Sequence, residues 1–264
     1  MKRFAKAISV FVVLLLLAQP AFANPLMFAP VQVSPTMITT SIVAKDLCQP
    51  KNTLREISRS HPITYDWADR LVTVAQNGAT IATYSYDALN RRVSKTASAG
   101  TTNYVYNYNQ LIEEYAPSGH KAYVYGTYLD NPILMEDPSS NDYYYLKDRQ
   151  YNIIGLTNSS GTIVENYIYN SFGLISIFDG NNAPLTTSAI GNSFGYQGHL
   201  YDPESGLWHY RNRMYSPQLG RFLQRDPKGY VDGYNLYAFV HNNPLRYLDA
   251  MGFTAMSYAA THAV

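Results

Sequence analysis

The sequence contains very little cysteine, with Cys48 as its single thiol among 264 residues. One cysteine excludes an intramolecular disulfide framework and any cysteine-rich metal site. Cys48 is either an incidental free thiol or a residue that pairs between chains. The six histidines have no partner at metal-ligand spacing, so no metal site is predicted. His199 and His209 flank aromatic segments and are expected to hydrogen-bond at the edge of a sheet.

Charge is also scarce and is balanced between the two signs. Charged residues make up 15% of the chain, and the net charge is +1. Such a balance does not favour electrostatic capture of nucleic acid or anionic membranes, so neither is predicted as a partner. No glycine-rich phosphate loop precedes a helix, and no cofactor is predicted. With 16 glycines and 14 prolines, the composition favours short strands joined by tight turns.

Long hydrophobic runs are missing except at the N-terminus. Basic residues precede an apolar stretch, Ala7–Ala18, and small residues follow at the positions that a signal peptidase recognises. This pattern predicts a signal peptide over residues 1–23, cleaved between Ala23 and Asn24. The stretch is shorter than the roughly 20 residues of a spanning helix, so an uncleaved anchor is the lesser alternative. We therefore expect a secreted or periplasmic protein that is free of the membrane after cleavage.

Residues 24–60 have the composition of an extended linker. Four prolines punctuate the segment, with serine and threonine between them, and no period of two or 3.6 persists. Strands and helices are therefore not predicted there.

Tyrosine, by contrast, is abundant, with 25 residues against 10 phenylalanines and 2 tryptophans. A tyrosine ring suits a half-buried pleated surface, with its hydroxyl at an edge or in solvent. The composition therefore predicts an all-β protein.

Starting at Tyr65, anchor tyrosines recur about every 20 residues, and most belong to Tyr-x-Tyr pairs. These pairs are Tyr84/Tyr86, Tyr104/Tyr106, Tyr123/Tyr125 and Tyr167/Tyr169.

Each repeated unit has the chemistry of a β-hairpin. Alternation places both rings of a Tyr-x-Tyr pair on one face of a strand. The Asp or Asn that follows accepts hydrogen bonds from backbone amides in a turn, and a glycine in mid-unit forms the next hairpin. A single hairpin cannot bury its own face, so the units are expected to stack into one antiparallel sheet.

The series exemplified by residues 84–91, YSYDALNR, resembles the YD repeat of Rhs proteins and teneurins. A generic antiparallel meander with aromatic strands is the alternative. The resemblance implies a spiralling β-sheet that curls into a hollow shell when it is long enough. About four units are recognisable here, over residues 61–175, which is too few for one such chain to close a shell alone.

A second resemblance begins at Phe194. The stretch from Phe194 to Pro227 is FGYQGHLYDPESGLWHYRNRMYSPQLGRFLQRDP, and DAMGF follows at residues 249–253. It resembles the Rhs repeat-associated core domain, which we place at residues 176–253, leaving a short tail at 254–264. Asp-Pro and Ser-Pro followed by glycine predict turns, whereas Leu207–Tyr210 and Tyr234–Val240 are expected to be strands. In the family this region caps the shell and precedes a variable segment, often a toxin.

The core resemblance also implies a self-cleaving aspartic protease. The family motif is Pro, four residues, Asp-Pro, one residue, Gly-Leu, with cleavage after the leucine. Here Pro244, Asp249 and Gly252 match, whereas Ala250 and Phe253 replace the proline and the leucine.

Two aspartates would share a proton in such a site, one acting as base toward water and the other as acid. The resemblance assigns Asp249 and Asp226 to these roles, and cleavage to the Phe253–Thr254 bond. Arg213 would hold the carboxylates, with Arg211 and Arg221 as substitutes. Because both aspartates also open glycine turns, a purely structural role stays open.

The sequence therefore leaves three functions in competition. The first is an extracytoplasmic shell or interaction module, related to the encapsulation of polymorphic toxins, that binds a polypeptide partner or joins a larger Rhs shell. The second is the autoprotease. The third is a surface module that contacts carbohydrate or cells, since exposed tyrosines can stack on sugar rings. The residues after Phe253 are too few for a folded toxin domain.

Overall fold

A computed structural model describes residues 63–257. The predicted signal peptide with its Ala23/Asn24 junction, the linker at 24–60 and residues 258–264 of the tail lie outside the described residues. Within 63–257 the chain is nearly all β, which confirms the predicted fold class. No helix in this part of the chain is long and apolar enough to cross a membrane.

Thirteen strands form one long antiparallel sheet in which each strand pairs with the next in the chain. The order of strands in the sheet is therefore their order in the sequence, as stacked hairpins require. The strands are β1 (Ile63–Tyr65), β2 (Leu71–Gln76), β3 (Ala79–Tyr86), β4 (Arg92–Ala97), β5 (Gly100–Asn107), β6 (Gln110–Ala116), β7 (Gly119–Tyr125), β8 (Pro132–Glu136), β9 (Asp142–Lys147), β10 (Ile153–Asn158), β11 (Ile163–Tyr169), β12 (Ile175–Asp179) and β13 (Pro184–Leu185).

The Tyr-x-Tyr pairs place their rings on the inner face of this sheet, as predicted. Tyr84, Tyr104 and Tyr123 are buried, whereas the intervening Val105 and Val124 are exposed on the other face. The second tyrosine of a pair donates its hydroxyl to a carbonyl near the start of the preceding strand. These bonds run from Tyr86 to Leu71 O, Tyr106 to Arg92 O, Tyr125 to Leu111 O and Tyr169 to Ile153 O, at 2.8 to 2.9 Å.

One turn type closes one end of most hairpins, and Asp87 is typical. Its Oδ1 accepts from the amides of Leu89 at 2.8 Å and Arg91 at 2.9 Å, while Asn90 takes the left-handed conformation with φ 64°. The prediction that the Asp or Asn after a tyrosine pair caps the turn is thus confirmed at Asp87, whereas Asn107 lies in β5 and pairs with Gln110 across a two-residue turn. The same arrangement recurs at Asp66, Asp137, Asp148, Asn158, Asn170 and Asp179.

The long sheet continues beyond residue 175, where the tyrosine pattern placed the end of the repeats. β12 and β13 pair with each other around the Asp179 turn, although neither carries a Tyr-x-Tyr pair. β8 and β9 likewise fill a stretch in which no unit was recognised. Hairpins therefore also form in stretches that the repeat pattern did not mark, although β9 itself contains Tyr143–Tyr145.

A four-stranded antiparallel sheet follows, with strands β14 (Leu200–Asp202), β15 (Leu207–Tyr210), β16 (Arg213–Ser216) and β17 (Arg221–Phe222). A two-stranded sheet then joins β18 (Tyr247–Leu248) to β19 (Met256–Ser257). The predicted strand at Leu207–Tyr210 is confirmed as β15.

The strand predicted at Tyr234–Val240 was wrong. Within it, Ala238 forms a single bridge to Arg221, and Val240–Asn242 is a short 3-10 helix with left-handed backbone. The reason is tertiary packing, because Phe239 is buried in the aromatic cluster of the four-stranded sheet. Burial of that one side chain outweighs the strand propensity of its neighbours.

The four-stranded sheet packs on the long sheet through aromatic side chains. Its cluster contains Tyr196, Trp208, Tyr210, Tyr215, Phe222, Phe239 and Val240. Three of these rings donate to three consecutive carbonyls in the turn between β11 and β12. The bonds run from Tyr196 to Ser171 O at 2.8 Å, from Tyr215 to Phe172 O at 2.8 Å and from Trp208 to Gly173 O at 2.9 Å.

A buried ion pair also joins the two sheets. Arg92 of β4 contacts Asp202 of β14 at 2.6 Å, and their side chains are 1% and 0% exposed. The Arg92 guanidinium lies between the rings of Tyr84 and Tyr104, 5.3 and 5.1 Å from their centroids. Burial alone would raise the pKa of Asp202, but Arg92 and Lys95 lower it to about 2. The carboxylate is therefore charged and depends on its cations.

We predict that Arg92→Met lowers the free energy of unfolding by about 3 kcal/mol, because it leaves a buried carboxylate short of its main partner. The neighbouring Arg91 provides a matched control, since its pair with Asp87 is partly exposed. Arg91→Met should cost at most about 1 kcal/mol. Urea unfolding followed by the fluorescence of the buried Trp208 measures both. An equal decrease in the free energy of unfolding in Arg92→Met and Arg91→Met would contradict the prediction.

Candidate active site

The structure brings the three predicted catalytic side chains together. Arg213 begins β16, Asp226 follows β17, and Asp249 follows β18. Arg213 Nη1 lies 3.1 Å from Asp226 Oδ2, and Arg213 Nη2 lies 3.2 Å from Asp249 Oδ2. All three side chains are buried. The two carboxylates thus meet through the guanidinium, one on each terminal nitrogen, and direct sharing of a proton between them stays a prediction.

Asp249 also contacts both residues of the predicted scissile bond. Its Oδ1 accepts from the amide of Phe253 at 2.9 Å and from the amide of Thr254 at 3.2 Å. The Thr254 nitrogen is the atom that would leave as an amine. Burial raises the pKa of the Asp249 carboxyl, against the opposing effects of these amides and Arg213. A carboxyl with a raised pKa beside a leaving nitrogen is placed to deliver a proton.

Asp226 is held in a glycine turn. Its Oδ1 accepts from the amide of Lys228 at 2.8 Å, and its carbonyl accepts from Gly229 at 3.0 Å. The turn interpretation of the Asp-x-x-Gly pattern is therefore correct for this residue, and the carboxylate still reaches Arg213 with its other oxygen. Turn and ion pair coexist because each uses a different oxygen atom.

Arg213 is fixed on several sides. Its Nε donates to Gly252 O at 2.6 Å, and its guanidinium lies 3.7 Å from the centroid of the Phe222 ring. Burial lowers the pKa of the guanidinium, and the two carboxylates oppose that shift. Of its predicted substitutes, Arg221 lies over the Tyr237 ring, 4.7 Å from its centroid.

Arg211, the other substitute, has a partner that sequence reasoning missed. It forms an ion pair with Asp130, a buried residue in the loop between β7 and β8, and donates to Ala250 O. Burial raises the pKa of Asp130 to about 6 although Arg211 opposes the shift, and the nearby Asp249 carboxylate adds to it. Because 81 residues separate the partners, no local spacing in the sequence could have indicated this pair.

The prediction for His199 and His209 was wrong, since both rings are buried and not at a sheet edge. Their Nε2 atoms have no hydrogen-bond partner among the described residues. Burial lowers the pKa of both imidazoles well below the usual value, so they are neutral. His199 stacks on Tyr210, with ring centroids 3.7 Å apart. Aromatic packing, which holds them inside, is not visible in the sequence.

Across residues 63–257, no three side chains of histidine, cysteine, aspartate or glutamate are grouped so that they could hold a metal ion. The first tyrosine of each pair is buried in the core, so its ring is not available on the surface to stack on a sugar.

The Teneurin YD-shell family model matches residues 57–245, well over half of the chain. The chain belongs to this family. The resemblance to Rhs and YD-repeat proteins is thereby confirmed. The YD-shell match covers the whole of the long sheet and the whole of the four-stranded sheet, and it ends before Asp249.

Relatives of this YD-shell chain include a tRNA nuclease and a DNA deaminase toxin, both much longer than the chain. It is 29% identical over 223 residues to the tRNA nuclease WapA of Bacillus subtilis, covering 81% of this chain and 9% of the relative. It is 25% identical over 235 residues to the double-stranded DNA deaminase toxin A of Burkholderia cenocepacia, covering 78% of this chain and 16% of the relative. The chain thus spans less than a fifth of either relative, as a toxin-associated YD-shell module would.

Solved structures agree on the YD-shell fold. The TcdB2-TccC3-Cdc42 structure has a TM-score of 0.59 and 23% identity, over 74% of this chain and 10% of that chain. The toxin subunit YenC2 of Yersinia entomophaga is 48% identical over 54 residues, which are 20% of this chain and 6% of the relative. The structural match establishes a shared fold, and the shorter sequence match is to a toxin subunit.

We predict that the Asp130 carboxyl titrates near pH 6, above its ordinary value of 3.8. Asp137 is the control, because hydrogen bonds from Asn141 and Ser139 outweigh its slight burial and lower its pKa. Side-chain carboxyl shifts in nuclear magnetic resonance spectra measure both midpoints.

A folded-state pKa of Asp130 above its unfolded value means that the free energy of unfolding falls as pH rises. Wild type should therefore lose stability relative to Asp130→Asn between pH 3.8 and about 6. A midpoint at the ordinary value would contradict this.

Proposed function

We propose that this chain is an exported YD-shell module that binds or encloses another polypeptide as part of a toxin-related assembly. The observation that carries the proposal is the long sheet itself. Its thirteen strands form an open sheet, and within residues 63–257 no strand pairs with the outer edge of β1 or of β13. Open edges present unpaired main-chain donors and acceptors that favour addition of further strands.

The comparisons support a polypeptide partner. The relatives are many times longer than this chain, and the similar TcdB2-TccC3-Cdc42 structure combines more than one named protein. A module with this fold would extend its sheet through β1 or β13 with strands of a larger shell. The inner face carries the tyrosine pairs and is already covered by the four-stranded sheet, which leaves the edges as the sites of association.

Export and assembly are tested together in the native host. We expect the protein in the extracytoplasmic fraction, with Asn24 as its first residue by N-terminal sequencing. Size-exclusion chromatography with light scattering should give a mass above that of the monomer. Amides of β1 and β13 should exchange hydrogen more slowly in the native assembly than in the isolated chain, while those of the central β5 serve as the control. An unaccompanied monomer with equal exchange at both edges would refute the proposal.

A second function is favoured by the contacts of Asp249, and we propose it as intramolecular proteolysis. Asp226 would accept a proton from water, and the resulting hydroxide would attack the carbonyl carbon of Phe253. Asp249 would protonate the Thr254 nitrogen as the C–N bond breaks, leaving a carboxylate on Phe253 and an amine on Thr254. Arg213 would stabilise the negative charge that passes between the two acids.

The expected product is a chain that ends at Phe253, together with an eleven-residue peptide. Asp249→Asn and Asp226→Asn should each abolish cleavage, because each removes one partner of the proton transfer. Asp137→Asn changes an exposed turn acid and should leave cleavage unaffected. Intact-mass spectrometry of fresh and aged wild type and of the three variants measures the outcome. An undiminished full-length mass in aged wild type would rule out this activity.

A further inference from the structure

The turn between β15 and β16 binds the chain just before the predicted scissile bond. We call the contacts that Arg211, Asn212 and Arg213 make with this segment the grip. The turn is tight, with Arg211 in the left-handed conformation at φ 53° and the Asn212 amide 2.5 Å from Tyr210 O. It projects three consecutive polar side chains, Arg211, Asn212 and Arg213, toward the segment that leads from Asp249 to Phe253.

These three side chains donate to three consecutive main-chain carbonyls. Arg211 Nη1 donates to Ala250 O, Asn212 Nδ2 donates to Met251 O at 2.9 Å, and Arg213 Nε donates to Gly252 O at 2.6 Å. The match is one to one and in sequence order. Every residue offers a main-chain carbonyl, so these three bonds fix the path of the backbone, and the register depends in addition on which residue lies opposite the turn.

Close packing at Gly252 reinforces this register. Its φ is +68°, and a Cβ there would lie 2.3 Å from Tyr210 O and 3.2 Å from the Arg213 nitrogen. Only glycine therefore fits opposite the turn. A neighbouring residue cannot take its place, because any side chain would collide with backbone atoms.

Asp130 places the first of the three donors. Its carboxylate is buried and pairs with Arg211, whose guanidinium spans from Asp130 to Ala250 O. Asp130 belongs to the loop between β7 and β8. The long sheet therefore fixes the position of the Arg211 guanidinium through this ion pair. The bidentate geometry of arginine suits this bridging role, which a lysine cannot reproduce.

We propose that Arg211 and Asn212, with Asp130 behind them, are positioning residues that select which peptide bond is presented to Asp249. Arg213 serves both the grip and the acid pair. The grip recognises main-chain carbonyls of a bent segment that ends in glycine, and it holds Phe253 and Thr254 with their amides on Asp249 Oδ1. The consequence for cleavage depends on the proposed proteolysis, whereas the grip itself does not.

Two variants test the grip, with a matched control. Asn212→Ala removes the middle donor, and Asp130→Asn removes the charge that orients Arg211. Gln150→Ala is the control, because Gln150 also donates to a main-chain carbonyl, Pro244 O at 2.6 Å, but lies upstream of Asp249. The probe is hydrogen exchange at the Phe253 amide, which is present in intact and cleaved chains alike. We expect roughly tenfold faster exchange in Asn212→Ala and in Asp130→Asn, and no change in Gln150→Ala.

Intact mass in the same samples reports on the cleavage position. If wild type cleaves, Asn212→Ala should cleave more slowly and spread cleavage to the adjacent bonds, because the register is loosened, while Gln150→Ala keeps the single site. Faster exchange without cleavage in wild type would support the grip and refute the proteolysis. Unchanged exchange in both variants, or cleavage of Asn212→Ala at the same bond and rate, would overturn the grip. If Asn212→Ala fails to fold, hydrogen exchange at the Phe253 amide of Asp130→Asn decides between these outcomes.

Discussion

The pairing of Arg92 with Asp202 is the interaction that orients the two sheets on each other. A guanidinium held between two tyrosine rings has one direction in which to extend, and the Asp202 carboxylate lies there. Asp202 ends β14, and the chain turns from it directly into β15 and the Arg211–Arg213 turn. Displacing this ion pair would therefore displace the elements that hold Arg213. We infer that the pair serves orientation more than stability, since buried ion pairs add little net free energy.

Arg91 and Arg92 illustrate how one repeat supplies two kinds of contact. Arg91 lies outside, binds Asp87 of its own turn at 2.7 Å and reaches Tyr108 O of the next turn at 2.9 Å. Arg92 points inward, where the tyrosine pairs surround it. Successive side chains of a strand point to opposite faces. Arg91 therefore links neighbouring hairpins, whereas Arg92 links the two sheets.

Sequence periodicity predicted the hairpins that carry tyrosine pairs, although it did not extend to the equally local pairing of β12 with β13. The tyrosine spacing and the Asp or Asn after each pair predict strands and turns, because the interacting atoms lie within a few residues. The meeting of Arg213, Asp226 and Asp249 was predicted through a family resemblance and would not follow from spacing alone. The Asp130–Arg211 pair and the burial of His199 depend on packing between distant segments, which leaves no local trace. Tyr234–Val240 failed because burial of a single ring overrode propensity.

The hydroxyl bonds from each second tyrosine to the preceding strand have a consequence for how the fold is built. Every strand of the long sheet is completed by its immediate neighbours in the chain, so each hairpin can join the growing edge as soon as it is synthesised. The contacts made by the segments that follow the long sheet span long distances, with 110 residues between Arg92 and Asp202 and 94 between Gln150 and Pro244. We infer from this topology that the long sheet forms progressively along the chain. The contacts of the candidate active site, which join distant segments, then form last.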